Sequence, residues 1–268
     1  MVSQHVAIVT GANHGIGAAT ARRLAADGVA VMVAYLRIRV TDDDATPEHY
    51  QQQRVTDGEQ VAAAIRSAGG QAVAVEADLL DATTPATLFD LTEAQLGPVD
   101  ILVNNATGWA SGDSFVAGTL DPAGRNTPAV TAELFDRTFG VDARAAALMM
   151  AEFSGRLIAR DGSWGRIVGL TSGSAMGFPS EVTYGAAKAA LDNYTMSAAL
   201  ELGRRGVTAN MIHPPITDTG WVNDSVREFA ATNSEHFHVA EPGEVAEVIA
   251  WLCTDVARMV TGNIIRMR

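Results

Sequence analysis

The stretch HVAIVTGANHGIGAATARRLAADG, which spans His5–Gly28, decides the fold of this chain. Its first six residues are almost continuously apolar, which is typical of a strand buried on both faces of a parallel sheet. A glycine-rich turn follows, and then a helical pattern that ends at Gly28. A strand, a tight turn and a helix in this order predict the first unit of a doubly wound α/β domain.

The same alternation of apolar runs and helical patterns continues along the chain. Helical patterns, the longest of them over Thr131–Ala159, separate the runs and predict helices on both faces of one parallel, Rossmann-type seven-stranded sheet. No linker divides the chain, so residues 1–268 are predicted to form a single domain with ligands at the carboxyl ends of the strands. The predicted strands are His5–Thr10, Val29–Leu36, Gln71–Asp78, Val99–Ala106, Gly165–Ser172, Val207–Pro214 and Gly262–Met267.

Composition narrows the class of protein. A formal net charge of −12 and an isoelectric point near 4.8 favour solubility and argue against a nucleic-acid partner. No apolar run is long enough to span a membrane, and the N-terminus lacks the pattern of a signal peptide. The single cysteine, Cys253, is expected to be a small buried side chain. These features together predict a cytoplasmic protein.

The glycine-rich turn TGANHGIG, Thr10–Gly17, predicts a dinucleotide site. Three glycines in the spacing G-x-x-x-G-x-G let the backbone turn tightly and approach a diphosphate, and the helix that follows offers free N–H groups. A tight strand–helix turn without a ligand is the alternative, but the strand before it and the helix after it favour cofactor binding. The residues predicted to contact the cofactor here are Gly11, Asn13, His14, Gly15, Ile16 and Gly17.

The end of the second strand predicts which dinucleotide binds. NAD sites usually place an acidic residue there for the ribose 2′-hydroxyl. This strand ends VAYLRIR, with Arg37 and Arg39 and no acid, and His14 lies in the glycine turn. Because arginines bind a 2′-phosphate well, NADPH is predicted over NADH. The alternative is that both arginines are solvated, since Asp42–Asp44 follow closely.

The stretch TYGAAKAAL, Thr183–Leu191, predicts a proton donor. Tyr184 and Lys188 lie four residues apart and so share one face of a helix. A phenol can hydrogen-bond and protonate a carbonyl oxygen, and a neighbouring ammonium is expected to lower the phenol's pKa. An ordinary half-exposed pair on a helix is the alternative. Position favours catalysis, because the pair follows a strand that ends in the hydroxyl groups of Thr171 and Ser172.

Taken together and in this order, the motifs resemble those of the short-chain dehydrogenase/reductase family, in particular its single-domain 3-oxoacyl-[acyl-carrier-protein] reductases, over nearly the whole chain. The resemblance implies that Tyr184 and Lys188 also bind the cofactor and that Ser172 orients the substrate. It adds further cofactor-binding residues from the motifs ADLL, NNA and HPPITDTG: Asp78, Leu79, Asn105, Ala106, Pro214, Thr217 and Thr219. It also implies a homodimer or homotetramer.

Three positions depart from the family pattern. Pro215 stands where the family has glycine, and Asp142 where it has an asparagine that supports a proton relay to the lysine. Asp142 is kept as a fourth catalytic candidate; it could hold the relay water or pair with Lys188 directly and weaken the lysine's effect on Tyr184. A helix residue that faces elsewhere is the alternative. Counting back from the tyrosine reaches Thr171, but a one-residue deletion in the loop would restore Ser172, which is favoured.

The predicted function is NADPH-dependent reduction of a ketone or 3-oxoacyl-type carbonyl, or the reverse oxidation, of a small molecule. A cofactor-binding scaffold without turnover and an epimerase of the same family remain alternatives. Two long insertions, Arg37–Gly58 and Ser111–Pro128, follow strand ends. A functional role is favoured for the second insertion. For the first, a functional role and a plain surface insertion are left as alternatives. His236 and His238 lack an evident third ligand, so no metal site is predicted.

Apolar pocket walls are expected from loops at strand ends, with the candidates Trp109, Met176, Phe178, Trp221 and Phe229.

Overall fold

The computed structural model describes residues 5–38, 47–121, 124–173, 176–233 and 237–268. Seven strands form the main sheet: β1 Val6–Thr10, β2 Ala30–Tyr35, β3 Ala72–Glu76, β4 Ile101–Asn104, β7 Gly165–Leu170, β8 Val207–His213 and β9 Asn263–Arg266. Two short strands, β5 Thr119–Leu120 and β6 Asn126–Thr127, form a separate antiparallel hairpin. The main sheet is entirely parallel, in the order β3-β2-β1-β4-β7-β8-β9, which confirms the predicted doubly wound α/β fold.

Helices connect the strands and cover both faces of the sheet. They are α1 Gly15–Ala26, α2 Glu48–Arg54, α3 Glu59–Ser67, α4 Thr84–Gln95, α5 Ala132–Phe139, α6 Ala146–Ala159, α7 Val182–Leu202, α8 Asp224–Thr232 and α9 Pro242–Leu252. A π-helical segment, Gly140–Ala145, joins α5 to α6, so one continuous helical run covers nearly all of the predicted Thr131–Ala159. Single turns of π-helix often occur at functional sites, and this one contains Asp142.

Two hydrophobic layers hold the helices on the sheet. Leu24 of α1, Ile65 of α3 and Ile249 of α9 belong to a core on one face. Phe89 of α4 and Phe153 of α6 belong to the core on the other face, and both are fully buried. Because apolar side chains from both sides cover each central strand, the strands read as continuous apolar runs in the sequence.

Some elements were not predicted from the sequence. Helix α2 lies inside the insertion Arg37–Gly58, α8 follows β8, and the β5–β6 hairpin lies inside the insertion Ser111–Pro128. Cys253, in contrast, lies in the core as expected, where burial raises its pKa to about 12. Within the described ranges, no helix has the length and apolar character needed to cross a membrane.

Candidate active site

The glycine turn between β1 and α1 has no room for side chains. Gly11 has a φ of +65°, and a Cβ on Gly17 would lie 2.3 Å from the Gly11 carbonyl oxygen. The side-chain amide of Asn105, at the end of β4, donates hydrogen bonds to the carbonyls of Thr10 and Gly11, at 2.9 and 3.0 Å. Asn105 therefore fixes the turn against the neighbouring strand end.

The N-terminus of α1 fits an anionic group. No side chain caps this helix, so its first N–H groups and the positive end of its dipole face the cleft. His14, at the cap position, carries little charge at neutral pH, because burial and then the nearby Arg54 lower its pKa to about 4. Backbone N–H groups, rather than a charged side chain of the turn, would therefore hold a phosphate here.

The adenosine end of the cleft is bordered by β2 and β3. Arg37 follows β2, and its guanidinium forms an ion pair with Glu76 of β3, with 3.0 Å between Nε and Oε2. The sequence analysis did not consider this acid, because it lies on a neighbouring strand. Asp78 accepts a hydrogen bond from the Leu80 N–H at 2.8 Å and lines the cleft beside Leu79. Arg39 and Asp42–Asp44 lie outside the described residues.

The segment after β8 closes the cleft opposite the glycine turn. A Cβ added to Gly15 would lie 2.9 Å from the Thr219 methyl group, so the two segments are in close contact. The Thr217 hydroxyl donates to the Pro215 carbonyl at 2.9 Å, which stabilises the turn that begins at Pro214. Pro214, Thr217 and Thr219 all line the same cleft as the glycine turn.

Tyr184 and Lys188 lie on one face of α7, as predicted. The Lys188 Nζ atom lies 5.4 Å from the centre of the Tyr184 ring. Lys188 forms an ion pair with Asp142 at 2.9 Å, and the two side chains are 2% and 0% exposed. The other carboxylate oxygen of Asp142 accepts hydrogen bonds from the Gly108 N–H at 2.7 Å and the Thr107 hydroxyl at 3.1 Å. Asp142 thus joins α7 to the loop after β4.

Electrostatics around Tyr184 differ from the expectation. Burial raises the pKa of Tyr184 to about 12; Lys188 acts in the opposite direction, and Asp142 adds to the increase. Lys188 lowers the pKa of Tyr184 as predicted, but burial has the larger effect and the net direction is upward. For Lys188, burial disfavours the charge, but Asp142, Tyr184 and Asp192 together outweigh burial and raise the pKa of the ammonium. Asp142 opposes the effect of the lysine on Tyr184, because its carboxylate raises the pKa of the phenol.

The two candidate hydroxyls after β7 have different surroundings. Thr171 is 3% exposed, and its hydroxyl lies beside the carboxylate of Asp192 on α7. Both residues line the cleft, but Ser172 is only half-buried. Because the Thr171 hydroxyl is buried beside Asp192, this geometry favours Ser172 over Thr171 as the hydroxyl available to a ligand.

A buried polar cluster beside Tyr184 was missed by the sequence analysis. Glu181, three residues before the tyrosine, accepts a hydrogen bond from the Trp109 indole N–H at 2.7 Å and pairs with Arg125 at 3.3 Å. Burial raises the pKa of Glu181 to about 7. Arg125 also pairs with Asp121 at 2.6 Å. These residues come from three separated segments, and no local sequence pattern joins them.

Aromatic side chains form much of the cleft wall. Trp109, Phe178, Trp221 and Phe229 line it, as predicted, and so does Tyr50 of α2, whose ring lies beside His14 of the glycine turn. Met176 was also predicted here, but its side chain is 96% exposed and does not line the cleft. The cleft is continuous from the glycine turn to these rings and has a volume of about 1860 Å³.

The remaining histidines have structural contacts. His213 lies with Nε2 2.7 Å from the Gly173 carbonyl oxygen, in the loop after β7. His238 pairs with Glu244 at 3.0 Å, and His236 lies outside the described residues. In the part of the chain that the structure describes, no group of three or more potential ligands is arranged to hold a metal.

The chain is similar to known proteins over nearly its whole length. A family model described as enoyl-(acyl carrier protein) reductase matches residues 11–267. The cis-4-hydroxycyclohexanecarboxylate dehydrogenase of Sinomonas cyclohexanicum is 33% identical over 98% of this chain and 94% of its own. A 3-oxoacyl-[acyl-carrier-protein] reductase of Synechocystis is 31% identical, with the same two coverages. The solved structure of the angucycline C-6 ketoreductase LanV with bound NADP is 30% identical, has a TM-score of 0.76 and covers 98% of this chain and 93% of its own.

Proposed function

Because this chain belongs to the short-chain dehydrogenase/reductase family and is therefore an NAD(P)-dependent oxidoreductase of alcohol and carbonyl groups, we propose that it reduces a ketone or 3-oxoacyl-type carbonyl with NADPH. Tyr184 would supply the proton, and the same residues would catalyse the reverse oxidation. The observation that carries the proposal is the array of half-buried Tyr184 with the buried Lys188 and Asp142 on one side of the nucleotide cleft.

The cleft residues fit a nicotinamide dinucleotide, which when bound exchanges a hydride with the substrate carbon. The glycine turn and the uncapped α1 N-terminus would hold its diphosphate, and Asp78 and Leu79 would border the adenine. Ala106 lies beside Gly11, where a Cβ would come within 2.9 Å of it, so this wall leaves space only for a close backbone approach.

Proton transfer follows from the surroundings of Tyr184. A phenol with a pKa near 12 stays protonated through the neutral range, so it is ready to donate to a carbonyl oxygen that becomes an alkoxide. Ser172, at the border of the cleft, would donate a second hydrogen bond to the same oxygen and stabilise the developing charge.

Lys188 and Asp142 are proposed to restore and tune this donor. The ammonium lies close to the tyrosine ring and favours its phenolate, which the tyrosine becomes after giving up its proton. Asp142 neutralises part of that charge and keeps the phenol protonated. Asp142 is thus proposed as a positioning residue that acts through Lys188 and fixes the Gly108 backbone.

We propose a preference for NADPH over NADH on the basis of Arg37. Its guanidinium is half exposed and lies at the end of β2, where the 2′-substituent of the adenosine ribose would be expected. The pairing with Glu76 competes with a phosphate, but an exposed ion pair is weak and exchanges partners at little cost. The NADP in the LanV structure adds support from a relative.

The substrate is proposed to be a largely apolar carbonyl compound. Aromatic rings that include Trp109, Phe178, Trp221 and Phe229 line the cleft, and such rings favour flat or alicyclic groups over highly charged ones. The names of the relatives, with an alicyclic hydroxy acid, an acyl carrier substrate and a polycyclic ketone among them, agree with a carbonyl or alcohol on a carbon skeleton.

As an extension, the chain is proposed to be a single domain over residues 1–268 that assembles into a homodimer or homotetramer.

The test uses purified protein, NADPH and a panel of ketones and 3-oxoacyl thioesters. Wild type is expected to consume NADPH, whereas a scaffold or an epimerase would show no net consumption. Tyr184→Phe is expected to lower the rate roughly 100- to 10,000-fold, the usual contribution of a general acid, with NADPH binding retained. Ser197→Ala, at an exposed serine on the same helix that does not line the cleft, is the control and should leave the rate unchanged. Retained turnover in Tyr184→Phe would refute the assignment.

A further inference from the structure

We propose that Arg54, on helix α2 of the insertion Arg37–Gly58, binds the diphosphate of the nicotinamide cofactor and so supplies the cation that the glycine turn lacks. The inference rests on the proposed cofactor binding and adds a binding residue from a segment outside the family motifs identified in the sequence. Helix α2 would then be part of the nucleotide site.

Helix α2 and the residues after it are fixed to the glycine turn by side-chain hydrogen bonds. The Asn13 side-chain amide donates to the carbonyl of Thr56 at 3.1 Å and to that of Arg54 at 3.5 Å. The Thr56 hydroxyl lies 3.3 Å from the Asn13 carbonyl oxygen, to which it donates. Since Asn13 belongs to the turn itself, these bonds place the Arg54 backbone beside the predicted phosphate site.

The side chains of α2 face the same cleft. The ring of Tyr50 lies edge-on to the His14 ring, with 5.8 Å between centroids, and the Arg54 guanidinium lies 5.6 Å from the Tyr50 ring. The guanidinium reaches across to the Trp109 carbonyl oxygen, at 3.4 Å, on the loop after β4. Arg54 therefore links the glycine turn, through its backbone, to the loop after β4, through its guanidinium.

The glycine turn has little positive charge of its own. Its basic residue, His14, is neutral at pH 7, because its pKa is about 4. Arg37, at the end of β2, is proposed to meet the 2′-phosphate and not the diphosphate. A diphosphate bound at the α1 N-terminus would carry negative charge, for which backbone N–H groups alone give partial compensation.

The Arg54 guanidinium can pair with an anionic ligand. Among the described residues, no carboxylate forms an ion pair with its guanidinium, whose hydrogen bond to Trp109 is to a neutral carbonyl. Burial lowers the pKa of this guanidinium, and the like charge of Arg137 on α5 lowers it further. A partly buried cation beside a second cation is unfavourable, and a bound anion would relieve it.

The experiment compares ligand binding, measured by isothermal titration calorimetry, in wild type and Arg54→Gln. ADP carries the diphosphate without the nicotinamide, and adenosine 2′-monophosphate carries the adenosine and 2′-phosphate without the diphosphate. Arg54→Gln is expected to raise the Kd of ADP and NADPH by roughly 10- to 100-fold, as loss of a hydrogen bond between charged groups does. The Kd of adenosine 2′-monophosphate should stay within about twofold of wild type, since such a ligand lacks the contacted group.

Two further variants complete the test. Arg54→Lys keeps a positive charge without the bidentate fork and should show an intermediate Kd for ADP. Arg66→Gln, at an exposed arginine that pairs with Glu59 on α3, is the control and should bind ADP as wild type does. Thermal unfolding of each variant excludes a general loss of structure.

An unchanged Kd for ADP in Arg54→Gln would overturn the inference. If the KM for the carbonyl substrate rose in that variant as well, Arg54 would bind an anionic group of the substrate instead of the diphosphate. Failure of the proposed function looks different: wild type would bind ADP and NADPH but reduce no carbonyl, while the effect of Arg54→Gln on binding remained.

Discussion

Two ion pairs border the cleft, and their surroundings differ. Asp142 and Lys188 are 0% and 2% exposed and lie 2.9 Å apart, and Asp142 also holds the Gly108 N–H. Arg37 and Glu76 are 49% and 32% exposed and lie at the adenosine end of the cleft. Both pairs join elements that are distant in sequence.

The difference in burial decides what each pair can do. A buried pair cannot lose one member without leaving the other charge uncompensated, so it holds a fixed geometry around the proton donor. An exposed pair is stabilised little by its mutual attraction, because water and salt compete with it. The first pair is suited to set the electrostatics of a reaction, and the second is suited to exchange one partner for a ligand.

The largest expected effect is on stability, from removal of one buried charge. Asp142→Ala leaves the Lys188 ammonium buried without its partner and should lower the free energy of unfolding by about 3–5 kcal/mol. Urea unfolding at pH 7 measures this. Glu76→Ala is the matched change in the exposed pair and should leave the free energy of unfolding close to that of wild type. Equal losses in the two variants would remove the distinction between the pairs.

A third ion pair, between Glu181 and Arg125, is intermediate in exposure between the other two pairs. Its effect on the stability of the fold depends on pH. The pKa of the Glu181 carboxyl is raised from 4.5 to about 7 in the folded protein, so folding favours its neutral form. Its contribution to stability is complete below pH 4.5 and is lost as pH rises to about 7. The Glu181→Gln variant has no carboxyl group at this position, so its stability lacks this dependence on pH.

Chemical unfolding at several pH values tests the Glu181 prediction. Between pH 4.5 and 7.5 the free energy of unfolding of wild type should fall relative to Glu181→Gln by about 3 kcal/mol, since one pKa unit corresponds to about 1.4 kcal/mol. Glu59→Gln, at an exposed carboxylate, controls for the general effect of removing a charge. Parallel curves for wild type and Glu181→Gln would show that this carboxyl titrates normally.

The next effect is on cofactor choice. Arg37→Gln removes the guanidinium proposed to meet the 2′-phosphate and should lower kcat/KM for NADPH roughly tenfold, the effect of one charge-assisted hydrogen bond. The value for NADH should change little, because its ribose has no 2′-phosphate. Steady-state kinetics with both cofactors measure the ratio. A ratio that Arg37→Gln leaves unchanged would place the 2′-phosphate elsewhere.

The smallest expected effect comes from the acid of the exposed pair. Glu76→Gln removes the carboxylate that competes for Arg37, so kcat/KM for NADPH should rise by roughly two- to threefold. The same kinetic assay measures it, with Glu59→Gln as control. A decrease would mean that Glu76 positions Arg37 for the phosphate instead of competing with it.

The sequence predicted the sheet and its order of elements because continuous apolar strands and glycine-terminated helices are local patterns. Tyr184 and Lys188 share a helix face at a fixed spacing, so their proximity also followed. Helix α2 was not predicted, because its residues EHYQQQR have no apolar face. Its contacts with Asn13 and His14 depend on tertiary structure. The π-helical segment around Asp142 likewise has no recognisable spacing.

Electrostatics were harder to predict than positions. The sequence placed a cation beside Tyr184, but the net direction of its pKa depends on burial, which only the packed structure gives. Glu181 and its partners Trp109 and Arg125 are 72 and 56 residues apart, so no pattern could join them. The roles of these residues in catalysis and cofactor binding remain predictions for the experiments above.

The pH–rate profile of Asp142→Asn tests the central claim, that the buried pair sets the protonation of Tyr184. Asparagine keeps a hydrogen-bonding group for Gly108 but removes the charge that raises the pKa of Tyr184. Alcohol oxidation with NADP⁺ needs the phenolate, so its rate should rise at a pH about one unit lower than in wild type. Asp161→Asn, at a fully exposed aspartate that does not line the cleft, is the control. A profile that matches wild type would contradict the claim.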